Sequence, residues 1–166
     1  LEAGRNLREA AELEKAEVLL ASRSDSTLRG HFPAELDALI SGLGARPDGI
    51  ILVPAFFEGG RYTIGDIHYA EQDGEMVPVH LTEFARDPAY NYKNSDLKKW
   101  VEEKTDGSVK AEDVHSISLE MLRKGGPEAV AGELVQASET TVFIANAACY
   151  EDLEVLALGI SEAESK

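Results

Sequence analysis

Two apolar runs rich in β-branched residues, Gly49 to Val53 (GIILV) and Thr140 to Ala145 (TTVFIA), carry no charge and are set among amphipathic segments. Short runs of this kind read as strands covered on both faces. Val18 to Ala21 (VLLA), bounded by charge, reads as a third buried strand, and Val114 to Ile117 as a short fourth. Helical spacing appears in Leu7 to Ala16, with Leu7, Ala10, Ala11 and Leu13 on one face, and in Ala34 to Leu43, with Leu36, Leu39, Ile40 and Leu43. Pro33 suits a first turn, and Gly42 and Gly44 mark the end of that helix. A further helix is expected from about Ser95 to Lys104, with Ser95 as N-cap and Leu97, Trp100 and Val101 facing inward. Leu119 to Arg123 and Glu128 to Ala137 read as helices around the breaker Gly125-Gly126-Pro127, and Asp152 to Gly159 as a closing helix. Tyr62 to Tyr69 and Met76 to Leu81 flank EQDGE, whose Asp73-Gly74 pair signals a hairpin. The order predicts an α/β fold, a mostly parallel sheet sandwiched by helices, with a β-hairpin insertion over about 62–81. With 166 residues and no internal repeat, one domain over 1–166 is the economical organisation.

The charge narrows the partners. Thirty-one acidic residues against 16 basic ones give −15, which disfavours nucleic acid and anionic membrane surfaces as ligands. A protein this acidic can bind a small anion only where it gathers cations locally, so Arg23, Arg29 and Arg61 stand out. The single cysteine, Cys149, permits no internal disulfide and no metal-ligand spacing, and fits reducing, cytoplasmic conditions. It reads as a small residue near a strand end. No stretch is apolar enough to span a membrane, and the first residues do not resemble a signal peptide. The chain starts at Leu1 inside an amphipathic helix and stops just after another, so a piece of a longer protein is expected.

Ligands of open parallel sheets bind beyond the carboxyl ends of the strands. Three segments are expected there: SRSDSTLRG at 22–30, PAFFEGGRYT from Pro54, and NAACYED from Asn146. The first has parts for a small polyhydroxylated anion. Arg29 can grip a carboxylate or phosphate with two parallel bonds. Asp25 can accept from sugar hydroxyls, while Ser24, Ser26 and Thr27 donate or accept. Gly30 permits a sharp turn or close ligand approach. The same residues also make ordinary helix caps, and Arg29 could pair with Asp25 or Glu35. Arg61, beside Gly59 and Gly60, offers a second positive contact or a surface ion pair. His68 reads as a packing or solvent-facing histidine rather than a catalytic one. Arg86 and Asp87 read as a pair starting a turn before Pro88. Phe56, Phe57, Tyr62, Tyr69, Tyr90 and Tyr92 read as packing. Phosphate-loop, dinucleotide, zinc and nucleophile-elbow motifs are absent. Spacing alone supports an α/β domain for a small hydroxylated anion, and no reaction.

SDSTLRGHFPAELDAL resembles the signature of the four-carbon acid sugar kinases, which include D-threonate, D-erythronate and 3-oxo-tetronate kinases; Asp25 to Gly30 match in full. VPAFFEGGRYTIGDIHY, LTEFARDP and FIANAACYEDLEVLA resemble the family's second, third and fourth blocks, so the likeness runs from about Val18 to Leu158. Asn146 stands where the family often has an aspartate, which puts a charged role there in doubt.

The resemblance implies an N-terminal acid-sugar-binding domain, with Asp25, Ser26, Thr27, Arg29 and Gly30 at the substrate and Arg61 nearby. It implies that ATP and Mg²⁺ are bound mainly by a C-terminal nucleotide domain beyond this chain, and that this part alone is inactive. It leaves the catalytic base unassigned. A non-enzymatic small-anion-binding module is the alternative. A weaker one is a stand-alone sugar-phosphate isomerase using Asp25, Glu58 or His68. The hairpin could pair with another subunit, making a homodimer.

Overall fold

The computed structural model describes residues 1–16, 18, 20–44, 47–138 and 141–166. In chain order these form α1 (Glu2–Glu14), α2 (Ala34–Leu43), β1 (Gly49–Leu52), β2 (Arg61–Ile64), β3 (Ile67–Gln72) and β4 (Glu75–Pro78). Then come α3 (Leu97–Lys104), β5 (His115–Ile117), α4 (Gly126–Leu134), β6 (Thr141–Ala145) and α5 (Tyr150–Glu164). The fold is α/β, with a parallel sheet and a separate antiparallel one.

The parallel sheet has the order β1-β6-β5. Its central strand explains the uncharged run TVFIA. Successive side chains point to opposite faces: Val142 and Ile144 enter one core, while Phe143 and Ala145 enter another. Both faces are apolar because both are covered. The second core is closed by α4 and α5, through Val130, Leu134 and Leu156. The first is closed by α3, through Leu97, Trp100 and Val101, and by Ala70 of β3 and Val79.

The antiparallel sheet has the order β2-β3-β4. The expected single strand from Tyr62 to Tyr69 is two strands. Gly65 and Asp66 both take positive φ, 60° and 63°, and turn the chain tightly. Asp73 and Gly74 make the second such turn, as expected. Thr63 exchanges both backbone bonds with Ala147, just past β6. That pairing moors the antiparallel sheet at the carboxyl end of the parallel one.

Other expectations need correction. Val18, Leu20 and Ala21 belong to no strand, and Ala21 is exposed; Glu17, Leu19 and Thr140 lie outside the described residues. Leu13 is 82% exposed rather than inward. The reason is that α1 is held mainly by α2, at the Gly4–Gly42 crossing. A Cβ on Gly42 would come 2.3 Å from Leu1 O, so only glycine permits the approach. The N-cap of α3 is Asp96, which accepts from the Lys98 and Lys99 amides, and not Ser95. The expected breaker acts at Gly126, whose φ of 66° and ψ of −168° separate α4 from the preceding helical segment, and that segment ends in a π-helical turn, Met121–Gly125. No helix among the described residues is long and apolar enough to cross a membrane.

Candidate functional site

The segment Ser22–Gly30 is organised first by its own side chains. Asp25 Oδ1 accepts the Thr27 backbone N–H at 3.0 Å. Its Oδ2 accepts the Thr27 hydroxyl and Arg29 Nε, each at 2.8 Å. Arg29 Nε also reaches Thr27 Oγ1 at 2.8 Å, closing a ring of three side chains. Burial works to raise the Asp25 carboxyl, but the Thr27 bonds and the Arg29 charge outweigh it and hold it below the ordinary aspartate range. Leu28 sits at φ 64°, a left-handed conformation costing roughly 1–2 kcal/mol for a residue with a Cβ. Its side chain, 4% exposed, is an anchor in the first core.

Two side chains from other elements hold this loop from behind. His68 of β3 is fully buried, with Nε2 2.7 Å from Ser26 O and Nδ1 3.0 Å from Thr63 Oγ1. A carbonyl only accepts, so Nε2 carries the proton and Nδ1 accepts from the threonine hydroxyl. Burial, aided by the nearby Arg61 charge, lowers His68 to about 4, so the ring is neutral at physiological pH. The Tyr92 hydroxyl donates to the next carbonyl, Thr27 O, at 2.8 Å.

Arg61 opens β2. Its NH1 donates to Gly59 O, and among the described residues its buried Nε has no partner. The Arg61 guanidinium lies 5.0 Å from the Phe84 ring centroid, and that of Arg29 lies 5.1 Å from the same ring. The loop after β1 and the segment 22–30 thus deliver two cations to one aromatic ring, a stabilising arrangement for each. Arg29 NH1 also faces Asp87 Oδ2 at 3.8 Å.

The expected residues fall into distinct positions. Arg29 and Arg61 come together. Asp25 is spent largely on Thr27 and Arg29, and Thr27 is buried and turned inward. Ser26 is half-buried, and its carbonyl is the His68 acceptor. Gly30 packs against the Ser24 side chain, whose hydroxyl would have to rotate away from an added Cβ. Arg23 is exposed. Asp87 does not pair with Arg86; it accepts the Ala89 and Tyr90 amides and faces Arg29. Glu58 is bonded by the Tyr150 hydroxyl, which holds its carboxyl below the usual range. His68 is not solvent-facing, and with both nitrogens committed it has no lone pair free to act as a base.

Asn146 is structural. Its Oδ1 accepts the Asp66 N–H at 2.8 Å, and its Nδ2 donates to Asp66 Oδ1 at 2.8 Å and Ile117 O at 3.1 Å. An aspartate there would set a second carboxylate against Asp66. Cys149 is the N-cap of α5, where Asp152 bonds its backbone N–H.

Sequence reasoning passed over Phe84 and the polar roles of His68 and Tyr92. Phe84 sits in TEFARDP, so the likeness of that block was the available signal. Nothing local in the sequence marks the other two.

Known proteins are similar to this chain in sequence and in fold. A D-erythronate kinase of Heliobacterium modesticaldum is 39% identical over 90 residues, which is 52% of this chain and 19% of the relative. The crystal structure of the Haemophilus influenzae protein HI1011 superposes with a TM-score of 0.67 at 17% identity, covering 95% of this chain and 37% of that one. A Salmonella typhimurium LT2 structure, described provisionally as a tRNA synthase, gives 0.59 at 18% identity, covering 84% of this chain and 32% of that one. The two structures show a shared fold, and the chain spans well under half of each of the three proteins. The model of the sugar-binding N-terminal domain matches residues 1–166, and the chain belongs to that family.

Proposed function

We propose that this chain is the acid-sugar side of an ATP-dependent kinase that phosphorylates a four-carbon acid sugar. The observation that carries the reading is the pair of guanidinium groups, Arg29 and Arg61, on Phe84, with the buried Arg61 Nε lacking a partner among the described residues. A buried N–H without an acceptor costs about 1–3 kcal/mol, a cost that an anion drawn to Arg61 would offset. In an acidic chain, two cations gathered at one ring fit a carboxylate, and the serine hydroxyls of the same loop fit the sugar hydroxyls. The relative of 39% identity that carries a D-erythronate kinase name supports the same substrate class.

Among the described residues no group of three or more His, Cys, Asp or Glu is placed to hold a metal ion. Mg²⁺ would be held with the nucleotide rather than by these residues, and would supply charge neutralisation during transfer. What these residues contribute is binding and orientation: arginines fix the carboxylate end, which sets which hydroxyl faces the nucleotide.

The test uses the protein as its gene encodes it. Incubation with ATP, Mg²⁺ and D-erythronate, D-threonate or 3-oxo-tetronate should yield a phosphorylated acid, read by phosphorus NMR. Arg29→Ala should raise KM by about a hundredfold, because removing one partner of a desolvated charge pair costs several kcal/mol. Transfer to none of these acids would overturn the reading, and unchanged kinetics in the variant would remove Arg29 from the carboxylate.

A further inference from the structure

We infer that His68 is a positioning residue: the antiparallel sheet holds the binding loop in its ligand-ready shape through the His68 Nε2–H bond to Ser26 O. The inference rests on the proposed function for its ligand and on geometry for the rest. His68 and Ser26 are 42 positions apart, and their bond joins β3 to the loop just ahead of the Asp25–Thr27–Arg29 ring's last two members. On its other side His68 Nδ1 meets Thr63 Oγ1. The backbone of Thr63 is paired with Ala147, past the end of β6, and the His68 amide donates to Ser95 O ahead of α3. The ring is therefore fixed from two elements before it touches the loop.

Register makes the same point. Thr63 pairs with His68 across β2 and β3, and Arg61 pairs with Ala70 on the same two strands. The strand pair that fixes His68 also carries Arg61. One ladder thus sets Arg61 directly, and sets Arg29 through Ser26. A slip of the loop relative to β3 would separate the two guanidiniums that meet at Phe84. The strained φ of Leu28 lies within this loop, so its shape needs restraint from outside. His68 supplies one restraint and the Tyr92 hydroxyl, on the adjacent carbonyl, the other.

Three variants in the gene-encoded protein test this. His68→Leu fills the space without a donor. His68→Gln keeps an N–H that reaches the Nε2 position. Should the leucine variant fail to fold, His68→Asn, too short to reach Ser26, takes its place. Losing one such bond to a ligand-ordering loop is expected to raise the KM for D-erythronate by about tenfold with kcat changed by less than about threefold, and His68→Gln should restore most of the loss. Hydrogen exchange at the Thr27 and Leu28 amides should quicken in the leucine or asparagine variant and return toward wild type in the glutamine one. Equal exchange in all forms, or KM unchanged in the variant lacking the donor, overturns the positioning role. A wild-type protein that phosphorylates no acid sugar overturns the proposed function instead, and the exchange measurement then decides the clamp by itself.

Discussion

The two cores on either face of the parallel sheet are built on different chemistry. The core under α4 and α5 is held by Phe143, Ile117, Leu122 and Val130, and the buried polar side chain on its helices, among the described residues, is Asp152, bonded through both oxygens to Arg123. The core toward the antiparallel sheet is interleaved with hydrogen bonds. Of the seven buried polar residues described, Thr27, Thr63, His68, Thr82, Ser95 and Asn146 lie in the antiparallel sheet, in the binding loop, or in segments bonded to them. Apolar contact is non-directional and tolerant of small shifts, whereas a hydrogen bond fixes distance and angle. The side that carries the candidate site is the side where position is specified by directional bonds. The side that carries none is held by area.

That contrast breaks most easily at its extremes. Phe143→Ala, on the apolar side, should cost about 3–5 kcal/mol in urea unfolding, through lost transfer energy and the cavity left behind. A loss under about 1 kcal/mol would mean that β6 is not the keystone of the sheet. On the polar side, Asn146→Asp turns a donor into a second carboxylate beside Asp66 and Ile117 O, and should cost about 3 kcal/mol at neutral pH. The introduced carboxyl would have a raised folded-state pKa and so bind more protons folded than unfolded. The deficit should therefore shrink as pH falls toward 4, and a pH-independent deficit would contradict the carboxylate clash.

Acid separates the two sides in a third way. His68 has an ordinary value of 6.5 and is lowered to about 4 in the fold. It binds fewer protons folded than unfolded, so its contribution is lost as pH falls from about 6.5 to about 4, at no more than about 1.4 kcal/mol per pH unit. Burial works to raise Asp152, but the Arg123 pair and the Ala148 amide outweigh it and take it from 3.8 to about 2. Its contribution is present above 3.8 and lost below. Urea midpoints measured from pH about 7 to about 4.5 should thus fall in the wild type and fall less in His68→Gln. Parallel curves would show that His68 is not the group responsible.

How much of this was legible follows the same division. GIILV and TTVFIA announce covered strands because burial on both faces leaves a continuous apolar run, and the structure places β1 and β6 there. Val18, Leu20 and Ala21 have the same look but no strand partner among the described residues, since pairing depends on what the rest of the chain brings alongside, which no local pattern encodes. The Gly65-Asp66 turn carried a usable signal that the alternation from Tyr62 to Tyr69 masked. At the site, Arg29 and Arg61 stood out because cations are scarce in an acidic chain. His68, Tyr92 and Phe84 did not, because a histidine in an alternating segment, or an aromatic residue in a loop, reads alike whether it packs or bonds. Only the long-range pairing of β3 with the segment before α3, and the return of the chain past Ala85, puts them against the loop.

The smallest expected effect is the most discriminating for the polar side. Tyr92→Phe removes one hydroxyl and no volume, leaving Thr27 O without its donor at a site where Tyr92 is 3% exposed. The cost alone should be about 1 kcal/mol, the usual net value of a single neutral hydrogen bond. Its pairing with His68→Leu carries the information. Ser26 O and Thr27 O are successive carbonyls, so if both bonds restrain one loop, releasing either lets the loop relax and reduces what the other is worth. The double variant should then lose less than the two single losses combined, by at least about 0.5 kcal/mol. Strict additivity would mean that the two bonds act on independent parts of the structure, and that the loop is held by its own Asp25–Thr27–Arg29 ring rather than by the sheet behind it.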